Sequence, residues 1–241
     1  MVTTRGYIDR DFKYLAKNYP EYFAKLILNT QEDLSIQPLD QELNVPQLRT
    51  DNLYLVKQGT ERFALHLEFQ LHHKPELPKR MFLYNALFQS ALKISTLSAI
   101  IYLERKNYRK LPYLYCKQWN GIGHTFTYPV VFLWEHLEKI RNGELPGLVP
   151  ALMLLTKEKT IEVLAESKAL IKKLEPDIEK QALQLSIAAA LAGRYQLPAK
   201  EIMEVLKEEY LMFKEKNTFF EFLRNEALRE GRREGEQEGK Q

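Results

Sequence analysis

The stretch Arg62-Phe-Ala-Leu-His-Leu-Glu-Phe-Gln70 guides the interpretation of the whole chain, because its side chains alternate in character. The apolar positions are Phe63, Leu65, Leu67 and Phe69, and the polar groups between them are His66, Glu68 and Gln70. A period of two predicts a β-strand with one face against the core. A carboxylate on such a strand needs no explanation at a solvent-facing edge. In a central strand, however, an unpaired carboxylate is costly.

The sequence on either side of this stretch predicts a mixed α/β first half. Residues 48–56 predict a preceding strand, joined to it by a hairpin-like loop, Lys57–Glu61, that contains Gly59. The other predicted elements are a helix at 9–29 that Pro20 kinks or restarts, a strand at 34–39, a helix at 76–93, a strand at 98–103, a strand region at 124–134 broken by Pro129, a boundary at 135–147, and helices at about 150–173, 177–195 and 199–230. This order predicts an α/β domain with a mixed sheet flanked by helices over residues 1–147. It also predicts a helical region over 148–230 and a charged tail over 231–241.

Composition narrows the classes of function. The 241 residues are 45% apolar and 28% charged, so the chain can bury a core and is too apolar for general disorder. A single cysteine, Cys116, excludes an internal disulfide framework and a cysteine-based zinc site. Because we find neither an apolar signal core nor an apolar stretch long enough to span a bilayer, we expect a cytoplasmic protein without a membrane partner. Within residues 51–117, eleven lysine and arginine residues oppose five acidic residues, an excess that permits a polyanionic partner.

Two acids could converge beside the alternating strand. Asp51 stands eight residues before Gly59, and Glu68 stands nine residues after it. Antiparallel pairing through this turn brings the two carboxylates to the same region of the sheet. Such a pair makes a hard, oxygen-rich site suited to Mg²⁺. The alternative is a pair of ordinary acids on the surface or at a strand edge.

Asp51 followed by Glu68-Phe-Gln70 at the end of the next strand, and then by a helix, resembles the PD-(D/E)XK nuclease superfamily. More narrowly, it is similar to the recombination-promoting nuclease / putative transposase group, whose third motif is commonly Glu-x-Gln. Three further features resemble that group: Asp11-Phe-Lys13 on the first helix, Arg80-Met-Phe-Leu-Tyr84 on the helix after the strand, and the Glu-Gly repeats of the tail. The resemblance covers roughly residues 9–134 and more loosely the tail.

The resemblance implies a restriction-endonuclease-like fold and a Mg²⁺-dependent DNA endonuclease linked to transposition or recombination. Asp51 and Glu68 would be catalytic and would bind Mg²⁺, with help from the Phe69 carbonyl; Mn²⁺ could take its place. Gln70 would occupy the position of the superfamily's lysine, where it can hydrogen-bond and orient water but cannot supply a charge. Lys79 or Arg80 on the next helix could replace that charge. Asp11 and Tyr84 would be auxiliary residues.

A basic cluster with one aromatic residue follows the strand at 98–103. Its residues are Arg105, Lys106, Tyr108, Arg109 and Lys110. Such a loop can contact phosphates and stack on bases, so we expect its basic residues to bind nucleic acid. The alternative is a solvated loop with no ligand.

Two other classes of function remain open from the sequence. A catalytically silent nucleic-acid-binding or assembly protein could keep the same fold, and glutamine in the lysine position favours it. The helix at 199–230 and the Glu-Gly tail could then mediate self-association into a homo-oligomer, because in a helix Gly231, Gly235 and Gly239 would share one stripe. A frayed charged tail is the simpler interpretation of the same residues. A metal-dependent hydrolase of another substrate is the third class.

Overall fold

The computed structural model describes residues 5–38, 52–104, 113–119 and 122–209. The chain divides into two compact units, Met1–Glu135 and His136–Gln241. The boundary predicted at residues 135–147 begins where the first unit ends. The mixed α/β class, with a helix-flanked sheet and helices toward the C-terminus, is confirmed.

A five-stranded mixed sheet forms the centre of the first unit. Its strands are β1 (Ser35–Pro38), β2 (Leu53–Gln58), β3 (Glu61–Gln70), β4 (Thr96–Tyr102) and β7 (Val130–Phe132), in the spatial order β1-β2-β3-β4-β7. The first three pair antiparallel, whereas β3, β4 and β7 run parallel. The strand that carries Glu68 is therefore the central one. Glu68 lies opposite Ile100 of β4.

Helices cover both faces of this sheet. They are α1 (Arg5–Asn18), α2 (Pro20–Leu28) and α3 (Leu77–Leu92). The rings of Phe12 and Phe23 pack against Phe69 at 5.7 and 5.3 Å between centroids, so α1 and α2 lie on the apolar face of β3. His66 on the other face packs against α3. Pro20 restarts the helix, as predicted, because proline needs no amide partner in the first turn.

The strand region predicted at 124–134 proves to be two strands in different sheets. Strand β6 (Ile122–Thr127) pairs antiparallel with β5 (Leu114–Trp119) in a separate hairpin, whereas β7 joins the main sheet. Pro129 marks the break because it has no amide to donate to a ladder, although its carbonyl accepts the Ile100 amide at 3.0 Å. Strand β5 was not predicted from the sequence.

The second unit is helical over its described residues. Its helices are α4 (Leu137–Arg141), α5 (Leu152–Leu155), α6 (Ile161–Leu174), α7 (Ile178–Arg194) and α8 (Ala199–Val205), with a 3₁₀ turn at Pro146–Ala151. A further 3₁₀ turn, Leu133–His136, includes the boundary between the two units. The helix predicted at 150–173 is interrupted, because Thr156 is extended and its hydroxyl donates to the Leu152 carbonyl at 2.8 Å. The predicted helix at 199–230 and the tail lie mostly outside the described residues. In the described part of the chain, no helix is long and apolar enough to cross a membrane.

Candidate functional site

Glu68 is held by two other polar side chains at the carboxyl end of β3. Its Oε1 accepts hydrogen bonds from the Arg80 guanidinium, through Nη2, and from Gln70 Nε2 at 2.7 Å. The glutamate side chain is 18% exposed, and that of Arg80 is 32% exposed. An ion pair with this much burial is screened less by solvent than a surface pair. Glu68 is thus a carboxylate held by hydrogen bonds near the carboxyl end of the central strand.

The path of the chain after β3 explains why Arg80 reaches this carboxylate. Six residues separate Gln70 from Leu77, where α3 begins, so the N-terminal turn of α3 lies near the end of the strand. Leu77 and Met81 are fully buried and fix the inner face of the helix. Arg80 and Tyr84 are four residues apart and therefore share one side of α3.

His66 lies next to Glu68 on the same face of β3, and it is completely buried. Its ring meets Tyr84 and Phe88 edge to face, at 5.2 and 5.0 Å between centroids. Burial, reinforced by the Arg80 charge, lowers the pKa of His66 to about 3. The imidazole is therefore neutral near pH 7. The 4.0 Å between His66 Nε2 and Glu68 Oε2 is then not an ion pair.

Tyr84 keeps its phenolic proton in this environment. Burial raises the pKa of Tyr84, and the negative charge of Glu68 raises it further. The charges of Arg80 and Lys13 act in the opposite direction but do not reverse the shift. The phenol is therefore a hydroxyl group rather than a base at neutral pH.

The structure brings together four of the predicted site residues: Glu68, Gln70, Arg80 and Tyr84. The side chain of Gln70 is buried, and the ring of Phe69 points to the opposite face, toward α1 and α2.

Two other predicted site residues lie on the helices that flank β3, one on each face of the strand. Lys79 is exposed on the first turn of α3. Asp11 is buried on α1, which packs against the Phe69 face of the strand.

Other predicted site residues lie outside the described residues: Asp51, Arg105, Lys106, Arg109 and Lys110. The described neighbour of Asp51 is Asn52, whose carbonyl accepts the Leu67 amide at 3.0 Å. Leu53, the next residue, pairs with His66. Among the described residues, no group of three or more histidine, cysteine, aspartate or glutamate side chains could hold a metal ion. A metal site at Glu68 would therefore need a further ligand from outside the described residues, and Asp51 is the predicted one.

Sequence reasoning missed an aromatic cluster on the hairpin. Phe82 of α3 stacks on His124 at 4.4 Å and on Tyr115 at 5.3 Å between centroids, which fixes the hairpin to α3. The sequence feature that could have drawn attention to this region is the absence of acidic residues from 105–134, a stretch with five basic ones.

Comparison of the chain with protein-family models, curated proteins and solved structures finds no match.

Proposed function

We propose that the chain is a Mg²⁺-dependent DNA endonuclease, linked to transposition or recombination, that hydrolyses phosphodiester bonds at the carboxyl end of β3. The observation that carries the proposal is the placement of Glu68 and Gln70 side by side on the central strand, with Arg80 reaching them from α3. A half-buried carboxylate beside a guanidinium is the arrangement that a phosphate-processing site needs. The sheet positions the carboxylate, and α3 positions the guanidinium.

Each residue has a defined task in this proposal. Glu68 and Asp51 would hold the cation with their carboxylate oxygens, the donors that Mg²⁺ prefers, and Mn²⁺ could replace it. When bound, the cation would lower the pKa of a water molecule and neutralise charge on the scissile phosphate. Gln70 would orient the attacking water through its amide. Arg80 would supply the positive charge that Gln70 lacks.

The described donors fit a cation only in part. Glu68 supplies a carboxylate and Gln70 an amide oxygen, both hard ligands. The Arg80 guanidinium already binds the Glu68 carboxylate, so a cation would compete with it. The proposal therefore requires Asp51 to reach Glu68.

Cleavage of supercoiled plasmid tests the proposal. We expect the purified chain to nick plasmid in Mg²⁺, and we expect both a chelator and Glu68→Gln to abolish nicking. Glu68→Gln removes one charge and preserves shape. The matched control is Glu166→Gln, which removes the same charge from another glutamate–arginine pair, with Arg141 Nε 2.8 Å away. Undiminished nicking by Glu68→Gln would refute the proposal, as would absence of nicking from folded wild-type protein.

The second candidate function is a catalytically silent DNA-binding or assembly protein. The observation in its favour is that Arg80 and Gln70 both donate to Oε1 of Glu68, so the carboxylate has partners without a metal. In that case Glu68 would serve only the stability of the sheet and α3. DNA binding that is identical in Mg²⁺ and in chelator, with no cleavage in either, would favour this candidate over the endonuclease.

A further inference from the structure

One continuous part of the first unit is strongly depleted of acidic residues. Residues 77–134 contain eight lysine and arginine residues but a single acid, Glu104, although the whole chain carries a net charge of only +3. The rest of the chain is therefore net negative. The described part of this segment comprises α3, β4 and the β5–β6 hairpin, with β7 at its end. Four of the eight basic residues, Lys79, Arg80, Lys93 and Lys117, lie in or directly beside these elements, and the other four lie outside the described residues.

Ring stacking joins two of these elements into one surface. The planes of Phe82 and His124 lie 14° apart with centroids 4.4 Å apart, and Tyr115 closes the cluster at 5.6 Å from His124. In the hairpin, Lys117 pairs with His124 in register, so the lysine lies directly beside the stacked histidine. We use the name α3–hairpin surface for the exposed side chains Lys79, Lys93, Tyr113, Lys117 and His124.

Two acids lie near this surface along the chain, Glu76 at the N-cap of α3 and Glu104 after β4. The one acid of the segment, Glu104, is half-buried, with its Oε2 3.9 Å from His72 Nδ1. Arg80 is the basic residue that is neutralised, because it pairs with Glu68. Between Lys79 and Lys93, the exposed positions of α3 are uncharged, for example Leu83, Ala86 and Ser90. Within that stretch the lysines therefore meet no carboxylate of their own helix, although the exposed Glu76 at the N-cap lies three residues before Lys79.

The surface also offers rings to a ligand. Tyr113 is 54% exposed, and its carbonyl accepts the Tyr128 amide at 3.0 Å, which fixes the backbone beneath it. His124 is also exposed, although its ring stacks on Phe82. Exposed rings beside lysines are what a protein needs to stack on unpaired bases while it neutralises phosphates.

We infer that the α3–hairpin surface binds DNA, with Lys79, Lys93 and Lys117 on the phosphate backbone and Tyr113 stacking on an unpaired base. Charge complementarity selects the partner: a polyanion gains affinity by counterion release at each lysine it contacts. This inference deepens the proposed function because it names how the substrate would be held. It does not need a metal ion at Glu68, so binding and cleavage can fail separately.

Fluorescence anisotropy with labelled single-stranded and duplex oligonucleotides tests the inference. The full chain is titrated in chelator, which prevents cleavage, at about 50 mM salt, where one phosphate contact changes affinity about tenfold. We expect Lys79→Glu and Lys117→Glu each to weaken binding of both DNA forms at least tenfold, and to reduce the slope of log affinity against log salt by about one. We expect Tyr113→Ala to weaken single-stranded DNA about tenfold and duplex DNA little.

The matched control is Lys157→Glu, which makes the same change of charge at an exposed lysine between α5 and α6. If Lys157→Glu weakens binding as much as Lys117→Glu does, the effect is one of net charge and the inference is overturned. Failure of the wild-type chain to bind either oligonucleotide overturns it too. Binding that depends on Lys79 and Lys117, together with intact plasmid in Mg²⁺, would support the surface and overturn the endonuclease.

Discussion

A single buried imidazole makes the stability of the first unit depend on pH. In the folded chain, His66 stays neutral down to its pKa of about 3, whereas in the unfolded chain it takes up a proton below its ordinary value of 6.5. Between these values the unfolded state binds more protons, so stability falls as the pH falls. We expect the His66 contribution to lower the free energy of unfolding by about 2 kcal/mol at pH 5 relative to pH 7.

Urea denaturation followed by tryptophan fluorescence measures this contribution selectively. The chain has two tryptophans, Trp119 and Trp134, and both belong to the first unit. His66→Leu removes the titrating group and keeps an apolar side chain of similar size, so the loss between pH 7 and pH 5 should shrink by about 2 kcal/mol. An equal pH dependence in His66→Leu and wild type would contradict the assignment.

The stability of helix α7 depends on one capping side chain at its N-terminus. Asp177 is its N-cap, and Oδ1 accepts the amides of Glu179 at 2.8 Å and Lys180 at 3.0 Å. Asp177→Ala leaves these amides to water and should cost about 1 kcal/mol, whereas Asp177→Asn, which keeps an acceptor oxygen, should cost much less. Circular dichroism during urea denaturation measures both. An Asn variant as unstable as the Ala variant would show that charge, not the cap, is responsible.

The elements that could be predicted from the sequence are those whose pattern comes from burial. Strand β3 alternates because one face packs its apolar side chains against α1 and α2, whereas the other face carries the polar groups of His66, Glu68 and Gln70. Helix α3 shows helical spacing because Leu77, Met81 and Phe88 face the core. Strand β5 escaped prediction because its side chains at 114–118 are half-buried or exposed, so burial imposes no clean alternation on that part of its sequence. The split between β6 and β7 depends on tertiary pairing, since Pro129 marks a break without specifying that the two strands join different sheets.

For the candidate site, the sequence could predict which neighbouring residues share a face of a strand, but not which side chains from different elements meet. Alternation in β3 is enough to put His66, Glu68 and Gln70 on one face, as the structure shows. The contact between Arg80 and Glu68 depends on where α3 docks, which no local pattern encodes. The neutral state of His66 likewise follows from packing against Tyr84 and Phe88. The approach of Asp51 to Glu68 stays a prediction.

How far the chain can be shortened from its C-terminus depends on the contacts of α8 and of the residues after it, up to Glu209. Ile202 and Leu206 are fully buried, and Ile202 Cδ1 lies 4.0 Å from where a Cβ on Gly193 of α7 would stand. The Glu209 carboxylate is nearly inaccessible and receives Lys168 at 2.8 Å and Lys172 at 2.9 Å. Burial alone would raise the pKa of Glu209, but hydrogen bonds from the two lysines hold it below its ordinary value. The contribution of Glu209 to stability is therefore present above about pH 4.5 and is lost as the pH falls below it.

These contacts predict different outcomes for two truncations. A chain of residues 1–198 loses Ile202, Leu206 and Glu209 together, and burying two such aliphatic side chains is worth roughly 3–6 kcal/mol, a large fraction of the stability of a small domain. We therefore expect 1–198 to lose the cooperative unfolding of its helical unit. A chain of residues 1–209 keeps all three, so we expect it to unfold cooperatively and at a higher temperature than 1–198. Thermal unfolding followed by circular dichroism compares the two, and equal stability would show that α8 is dispensable. Self-association through the C-terminal residues is then testable in 1–209 by light scattering, because loss of an oligomer in that variant would not be a consequence of unfolding.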